Sequence, residues 1–225
     1  MIKFDSVSVK KEGRVILRDL SLCLDQKRIG VIGHNGSGKS TFIRLINGIE
    51  MPATGQVSVN NLYTDKNRKE VLKRVGFVFQ NPENQIIYPM VREDLAFGLK
   101  NRRLSKSEIS DRIQQTAEMF GVSDLLDRLS HTLSGGEKQL VAILSILIMD
   151  PDHIVLDEPT TLLDLQNKKK IMDILDNLDQ QILVVSHDLE FLKSYDHILR
   201  FEQGKLIDQG KPDDVITKYI EDALC

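Results

Sequence analysis

The chain has 225 residues, 41% of them hydrophobic and 28% charged, with a formal net charge of −3. Such a composition fits a globular protein with one well-buried core and excludes a disordered chain. The slight acidic excess gives no global basic field for nucleic acid or anionic lipid, and the basic residues outside the motifs below read as solvated faces.

The opening "MIKFDSVSVKKEGRV" alternates like a strand and carries charges throughout, so no secretory signal is expected. Ile2, Phe4, Val7 and Val9 are spaced like an edge-to-core strand, and "RVILRDLSLCL" continues with Leu20, Leu22 and Leu24 alternating. Val57 and Val59 predict another short strand, so this part reads as antiparallel sheet. "RIGVIG" then predicts a strand buried on both faces, and "KSTFIRLING" a helix stopped by Gly48. The apolar runs "VGFVF" (75–79), "IVLD" (154–157) and "ILVVS" (182–186) are of buried parallel-strand type. Between Gln80 and Asp150 the strands disappear. There "REDLAFGLKN", "SKSEISDRIQQTAEMFG" and "GGEKQLVAILSILIMD" have helical spacing, which predicts a helical insert over roughly 81–150. Past His187 come a helix, a hairpin-like "ILRFEQGKLIDQG" and a terminal amphipathic helix. No repeat or linker divides the chain, so a single domain over 1–225 is expected. Every unbroken apolar run is far below the ~20 residues of a membrane-spanning helix. Cys23 and Cys225 lack metal-ligand spacing and read as reduced thiols of a cytosolic protein.

"GHNGSGKST" (33–41) carries the P-loop pattern Gly33-x-x-x-x-Gly38-Lys39-Ser40 between a buried strand and a helix, the context that pattern requires. Gly33, Gly36 and Gly38 let backbone N–H groups of the loop, which also holds His34, Asn35, Ser37 and Thr41, turn inward around a phosphate. The helix beginning near Lys39 adds its positive end. Lys39 would reach the β and γ phosphates, and Ser40 would place its hydroxyl on Mg²⁺.

"HIVLDEP" places two acids at the carboxyl end of a buried strand, where an acidic pair is costly unless it meets a cation or water. Asp157 fits the Walker B role of holding Mg²⁺. Glu158 is the candidate general base for an attacking water. Either acid could instead cap the following turn. His187 and Gln80 end predicted strands of the same sheet, on the same rim as the acids.

A second glycine pair stands in "HTLSGGEKQ". Ser134 and Glu137 form a capping box on paper. That leaves Gly135 and Gly136 unexplained, since each costs a helix up to ~1 kcal/mol relative to alanine. Glycines here make sense if an anion approaches the helix start closely. The first anion site is filled from its own chain, so the second most simply serves a phosphate held by another chain.

"LSGGEKQ" resembles the signature motif of ATP-binding-cassette (ABC) ATPases, in family order with the P-loop as Walker A and 154–158 as Walker B. The resemblance covers essentially the whole chain. It implies an α/β fold: a P-loop core with mainly parallel sheet, an N-terminal antiparallel β subdomain and an inserted helical subdomain. It also implies that Gln80 is the Q-loop glutamine and a ligand of Mg²⁺, Asp164 the D-loop aspartate and His187 the switch histidine. In that family two cassettes dock head to tail around two ATP molecules. Each ATP lies between one subunit's P-loop and the other's signature residues, here Ser134, Gly135 and Gly136. A helix N-terminus contributes ~0.3–1 kcal/mol, up to ~2 when partly buried. Micromolar ATP binding requires about 8 kcal/mol. The signature helix cannot hold nucleotide alone, but it can bias closure around ATP over ADP.

"FVFQNPENQIIYPMVREDLAFGLKN" resembles the ATPases of energy-coupling-factor (ECF) importers, including cobalt-type cassettes. "RIGVIGHNGSGKSTFIRLINGI", "SGGEKQLVAI" and "DEPTTLLDLQN" are most similar to the ATPases of biotin importers. The resemblance implies a peripheral subunit on the cytoplasmic face of the membrane. Its partners would be a second ABC ATPase, like or unlike, an integral membrane coupling (T) protein and a substrate-binding (S) protein, with no nucleic acid. The T protein would dock on a groove lined by residues around Gln85 to Phe97. A cobalt or other ECF importer, and a soluble non-transport ABC ATPase, stay open as alternatives. The chain departs from the family twice. No aromatic stands between Phe4 and the P-loop to stack adenine, leaving Lys10, Lys11, Val15 or Ile16, and Leu162 stands where a small D-loop residue is commoner.

Overall fold

The computed structural model describes residues 1–225 except 101, 103, 162 and 225, so the readings of Leu162 and Cys225 lie outside the described residues. In chain order the elements begin with β1 (Ile2–Lys11), β2 (Arg14–Leu24), β3 (Arg28–Ile32), α1 (Lys39–Ile46), β4 (Thr54–Val59) and β5 (Leu62–Tyr63). Next come α2 (Arg68–Arg74), β6 (Val75–Val78), α3 (Val91–Lys100), α4 (Lys106–Met119), α5 (Gly135–Leu147) and β7 (His153–Asp157). The chain closes with α6 (Leu165–Asp176), β8 (Gln181–Val185), α7 (Leu189–Leu192), β9 (His197–Glu202), β10 (Lys205–Gly210) and α8 (Pro212–Leu224). These elements fall into two compact units. One comprises Met1–Phe77, Asp152–Glu158 and Gln180–Cys225, the other Val78–Pro151 and Pro159–Asp179. The second unit contains the 81–150 stretch read as helical and adds α6, which the charged "LQNKKK" start concealed.

The first unit holds two sheets. An antiparallel sheet runs β2-β1-β4-β5, and a larger sheet runs β10-β9-β3-β8-β7-β6 with β3 parallel to β8 and β9. Helix α1 links the two through an aromatic column, for Phe42 stands 4.8 Å from Phe4 on β1 and 4.8 Å from Phe201 on β9. All three rings are buried, and each such side chain stabilises the fold by about 2–3 kcal/mol relative to exposure. β3 and β7 are buried along their whole length, as their unbroken apolar runs require.

The opening strand differs from a simple alternation. β1 lies inside its sheet, between β2 and β4, and its pairing with β2 shifts register between Phe4 and Val7 and again between Val7 and Val9. Ser6, at φ 47°, takes up the extra residue and lets Ile2, Phe4, Val7 and Val9 all face the core. On β2 a matching irregularity at Asp19, φ 42°, buries Leu17, Leu20 and Leu24 while Leu22 stays half-buried. Cys23 on this strand is an exposed free thiol.

His153 opens β7 in a buried position, with Nδ1 2.7 Å from Gln181 Oε1. Gln181 donates its Nε2 to the carbonyls of Gln26 and Leu24, so its oxygen accepts from the imidazole and the proton sits on Nδ1. Burial lowers the His153 pKa below the usual histidine value, against a smaller opposing effect of the Gln181 bond. The unfolded chain therefore takes up a proton that the folded chain refuses, and stability falls as pH drops below about 6.5. Melting curves from pH 7.5 to 5 should show this loss, and His153→Phe should flatten it. An unchanged slope in that variant would remove His153 as the cause.

In the second unit α4 and α5 each begin with a capping box, Ser105 with Glu108 and Ser134 with Glu137. The segment after β6 is tied down by two polar side chains, half-buried Gln85 and buried Asp94. Gln85 Oε1 accepts the Phe79 N–H at 3.2 Å, and its Nε2 donates to Ala142 O of α5 at 2.6 Å. Asp94 of α3, which is buried, accepts the N–H groups of Ile87 and Tyr88 at 2.7 and 3.0 Å. This backbone presents Ile87, exposed, and the Tyr88–Phe97 ring pair at 5.4 Å. Among the described residues no helix is long and apolar enough to cross a membrane.

Candidate functional site

The loop from Gly33 to Gly38 joins the end of β3 to the start of α1. Gly38 has φ 104° and its missing Cβ would lie 2.8 Å from Leu17 Cδ2, so no other residue fits there. Gly36, at φ 78°, has nothing within 4 Å of a Cβ position and leaves the loop open on the side a phosphate would approach. Ser37 is buried, and its backbone N–H donates to His34 O at 3.1 Å while its carbonyl accepts Gly204 N–H at 3.0 Å. Lys39 Nζ donates to Gly33 O at 2.7 Å and His34 O at 3.0 Å. Burial holds its pKa below the ordinary lysine value, opposed by the nearby Glu158 and Asp157 carboxylates. Thr41 follows on the first turn of α1 and is half-buried.

Asp157 ends β7 almost fully buried. Ser40 Oγ donates to its Oδ1 at 3.2 Å. Its Oδ2 receives no hydrogen bond, and the nearest cation is Arg44 Nη2 at 3.6 Å. Burial raises the Asp157 pKa, against the smaller pull of Arg44, Ser40 and Lys39. A buried carboxylate oxygen without a donor, beside a hydroxyl from the phosphate loop, fits a divalent cation. Mg²⁺ needs only one or two protein oxygens when phosphates and water supply the rest. The sequence reading missed Arg44, although its place one helical turn after Ser40 could have pointed to it.

Glu158 is buried at φ 51°, a conformation rare for a long side chain, with its N–H donating to Val185 O at 2.9 Å. That bond turns the side chain toward His187, whose backbone N–H donates to Oε2 at 3.3 Å and whose Nε2 lies 3.4 Å from Oε1. Asn35 Oδ1 sits 3.1 Å from the same His187 Nε2. The P-loop, Ser40, Asp157, Glu158 and His187 thus share one site within the first unit.

Gln80, Ser134, Gly135 and Gly136 belong to the second unit. Gln80 is exposed and lines a cleft of about 360 Å³ with Asn81, Glu83, Gly135, Gln139 and Leu163. The two signature glycines separate here. A Cβ on Gly136 would meet Asn167 Nδ2 of α6 at 2.6 Å, so packing inside the unit explains that glycine. A Cβ on Gly135 would meet nothing within 4 Å, so no contact of this chain explains it. Asp164 caps α6, with Oδ1 accepting the Asn167 N–H at 2.8 Å.

A glycine loop between a buried strand and a helix, with a Mg²⁺-fitting acid and a second acid ending another strand of the same sheet, defines a P-loop nucleotide hydrolase. Residues 17–161 match the family described as ABC transporter. The chain belongs to that family, and it is an ATP-hydrolysing transporter subunit. It is 46% identical to the biotin transport ATP-binding protein BioM of Rhizobium etli, over 98% of either chain. It is 41% identical to the energy-coupling factor transporter ATP-binding protein EcfA of onion yellows phytoplasma, over 88% of this chain and 74% of that one. The structure of cbiO1 from Clostridium perfringens, part of the ABC transporter complex cbiONQ, superposes with a TM-score of 0.86 at 30% identity, covering 97% of this chain and 91% of that one. Cassettes of this fold have been solved as dimers.

Proposed function

We propose that this chain is the ATP-hydrolysing subunit of an ECF-type importer, acting as one of a pair of cassettes on the cytoplasmic face of the membrane, with biotin as the cargo. The observation that carries the pairing is Gly135, a helix-start glycine with open space where a side chain would be. Its exposed N–H groups suit the γ-phosphate of a nucleotide held by a second cassette. Membrane coupling is supported by the Ile87, Tyr88 and Phe97 surface, which half-buried Gln85 and buried Asp94 hold in shape for a T protein. An S protein would bind the cargo. The biotin assignment is supported by the likeness to BioM.

Lys39 and the loop amides bind the β and γ phosphates. Ser40 and Asp157 would hold Mg²⁺, which when bound neutralises charge on the phosphate oxygens. Glu158 takes the proton of the attacking water at its carboxylate, and His187 and Asn35 fix where that carboxylate points. Gly135→Ala should leave ATP binding to the monomer unchanged and the melting temperature equal or slightly higher, because the methyl enters empty space at a helical position that alanine favours. It should lower steady-state hydrolysis roughly tenfold or more by filling the partner's phosphate position. Wild-type turnover in that variant would rule out the shared site.

The importer is tested by a tagged pull-down from gently solubilised membranes, with partners identified by mass. Recovery of a multi-helix protein and a small membrane-embedded protein that binds biotin supports the proposal. An embedded partner that binds a metal ion instead replaces the cargo. Only soluble partners would overturn the transport role.

A further inference from the structure

The C-terminal helix reaches back to the phosphate loop. Tyr219 of α8 stands with its ring 5.6 Å from the imidazole of His34, the first residue after Gly33. The guanidinium of Arg200 lies 5.3 Å over the same Tyr219 ring. Arg200 is itself buried, sits opposite Ile32 in the parallel pairing of β3 and β9, and donates from Nη1 to Asp222 Oδ2 of α8 at 2.6 Å. Tyr219 is thus fixed from the strand beside the P-loop and in turn meets the one loop residue whose carbonyl accepts both Lys39 Nζ, at 3.0 Å, and Ser37 N–H, at 3.1 Å.

From this geometry we infer that Tyr219 is a positioning residue for nucleotide binding, holding His34 so that the loop keeps its phosphate-ready shape before ATP arrives. The inference rests on the reading of the P-loop as the ATP site. A loop held in its bound shape loses less freedom on binding, and the gain appears in affinity rather than in turnover. Aromatic contacts of this kind change an equilibrium by about two- to tenfold. His34 and Tyr219 are far apart in the chain and carry no shared motif, so nothing in the sequence pairs them.

The test measures ATP affinity by calorimetry, together with KM and kcat, on the full chain carrying Tyr219→Leu, Tyr219→Phe, His34→Ala or the double change His34→Ala with Tyr219→Leu. Tyr219→Leu should weaken ATP binding and raise KM two- to tenfold with kcat within twofold of wild type. Tyr219→Phe, which keeps the ring, should restore both. The double variant should bind no more weakly than His34→Ala alone. Unchanged affinity in Tyr219→Leu overturns the inference, as does a Phe variant that fails to restore it. If Tyr219→Leu melts too low to assay, His34→Ala with wild-type affinity overturns it equally well. Wild-type chain that binds no ATP would instead overturn the P-loop reading itself.

Discussion

Replacing Glu158 with glutamine is expected to lower steady-state ATP hydrolysis by ~10²–10⁴-fold, the range a positioned general base contributes, and to leave ATP bound. Little else in the site should move. The bond from Glu158 N–H to Val185 O does not involve the side chain, and glutamine keeps an oxygen to accept the His187 N–H. What disappears is the basicity of a carboxylate held beside the His187 ring. With the proton acceptor gone and the phosphate contacts intact, the variant should accumulate as ATP-loaded dimers. Phosphate release and light scattering read the two effects independently. Near-normal phosphate release from the glutamine variant would sink the assignment of Glu158 as the base.

Asp157→Asn should split stability from activity in opposite directions. Burial raises the Asp157 pKa, so its contribution to stability is fully present below the ordinary carboxylate range and is lost as pH rises through the raised folded value. At neutral pH the ionised group is a net cost to the nucleotide-free fold. Asparagine removes that charge and still offers Ser40 an acceptor. The nucleotide-free variant should therefore melt a few degrees higher than wild type at pH 7. Towards pH 4 the difference should shrink as wild type protonates. The same change deletes the oxygen that fits Mg²⁺, so hydrolysis should fall by ~10²-fold or more and Mg²⁺ should no longer raise ATP affinity. A variant that melts lower at pH 7, or that keeps its Mg²⁺ dependence, would contradict this account.

Much of this site was legible because its signals are local. A glycine loop flanked by a strand and a helix, or an acid pair ending an apolar run, needs only a short window of sequence. The capping box of Ser134 and Glu137 was legible for the same reason. What stayed hidden depends on long-range partners. Gly136 is required by Asn167 on another helix, a contact no spacing rule anticipates, while Gly135 has no such partner. The bonds by which half-buried Gln85 and buried Asp94 hold the backbone around them carry no sequence signal. α6 went unread because only Ile171 and Leu175 of its length are buried, too few for a clear apolar stripe. α2 buries Val71 alone. The bulged register of β1 was present in the uneven spacing of Val7 after Phe4, which a strict alternation cannot accommodate.

The two bonds from Lys39 to Gly33 and His34 carbonyls have a consequence for kinetics. The loop's own cation is folded inward onto two loop carbonyls, so a phosphate that takes up the ammonium does so in exchange for those bonds. An incoming phosphate must out-compete two carbonyls for one ammonium before it gains the loop amides. A small anion that meets only part of the cradle has little to set against that loss, whereas a triphosphate engages the amides and the lysine together. Free inorganic phosphate should therefore compete only weakly with ATP for this loop in a binding assay.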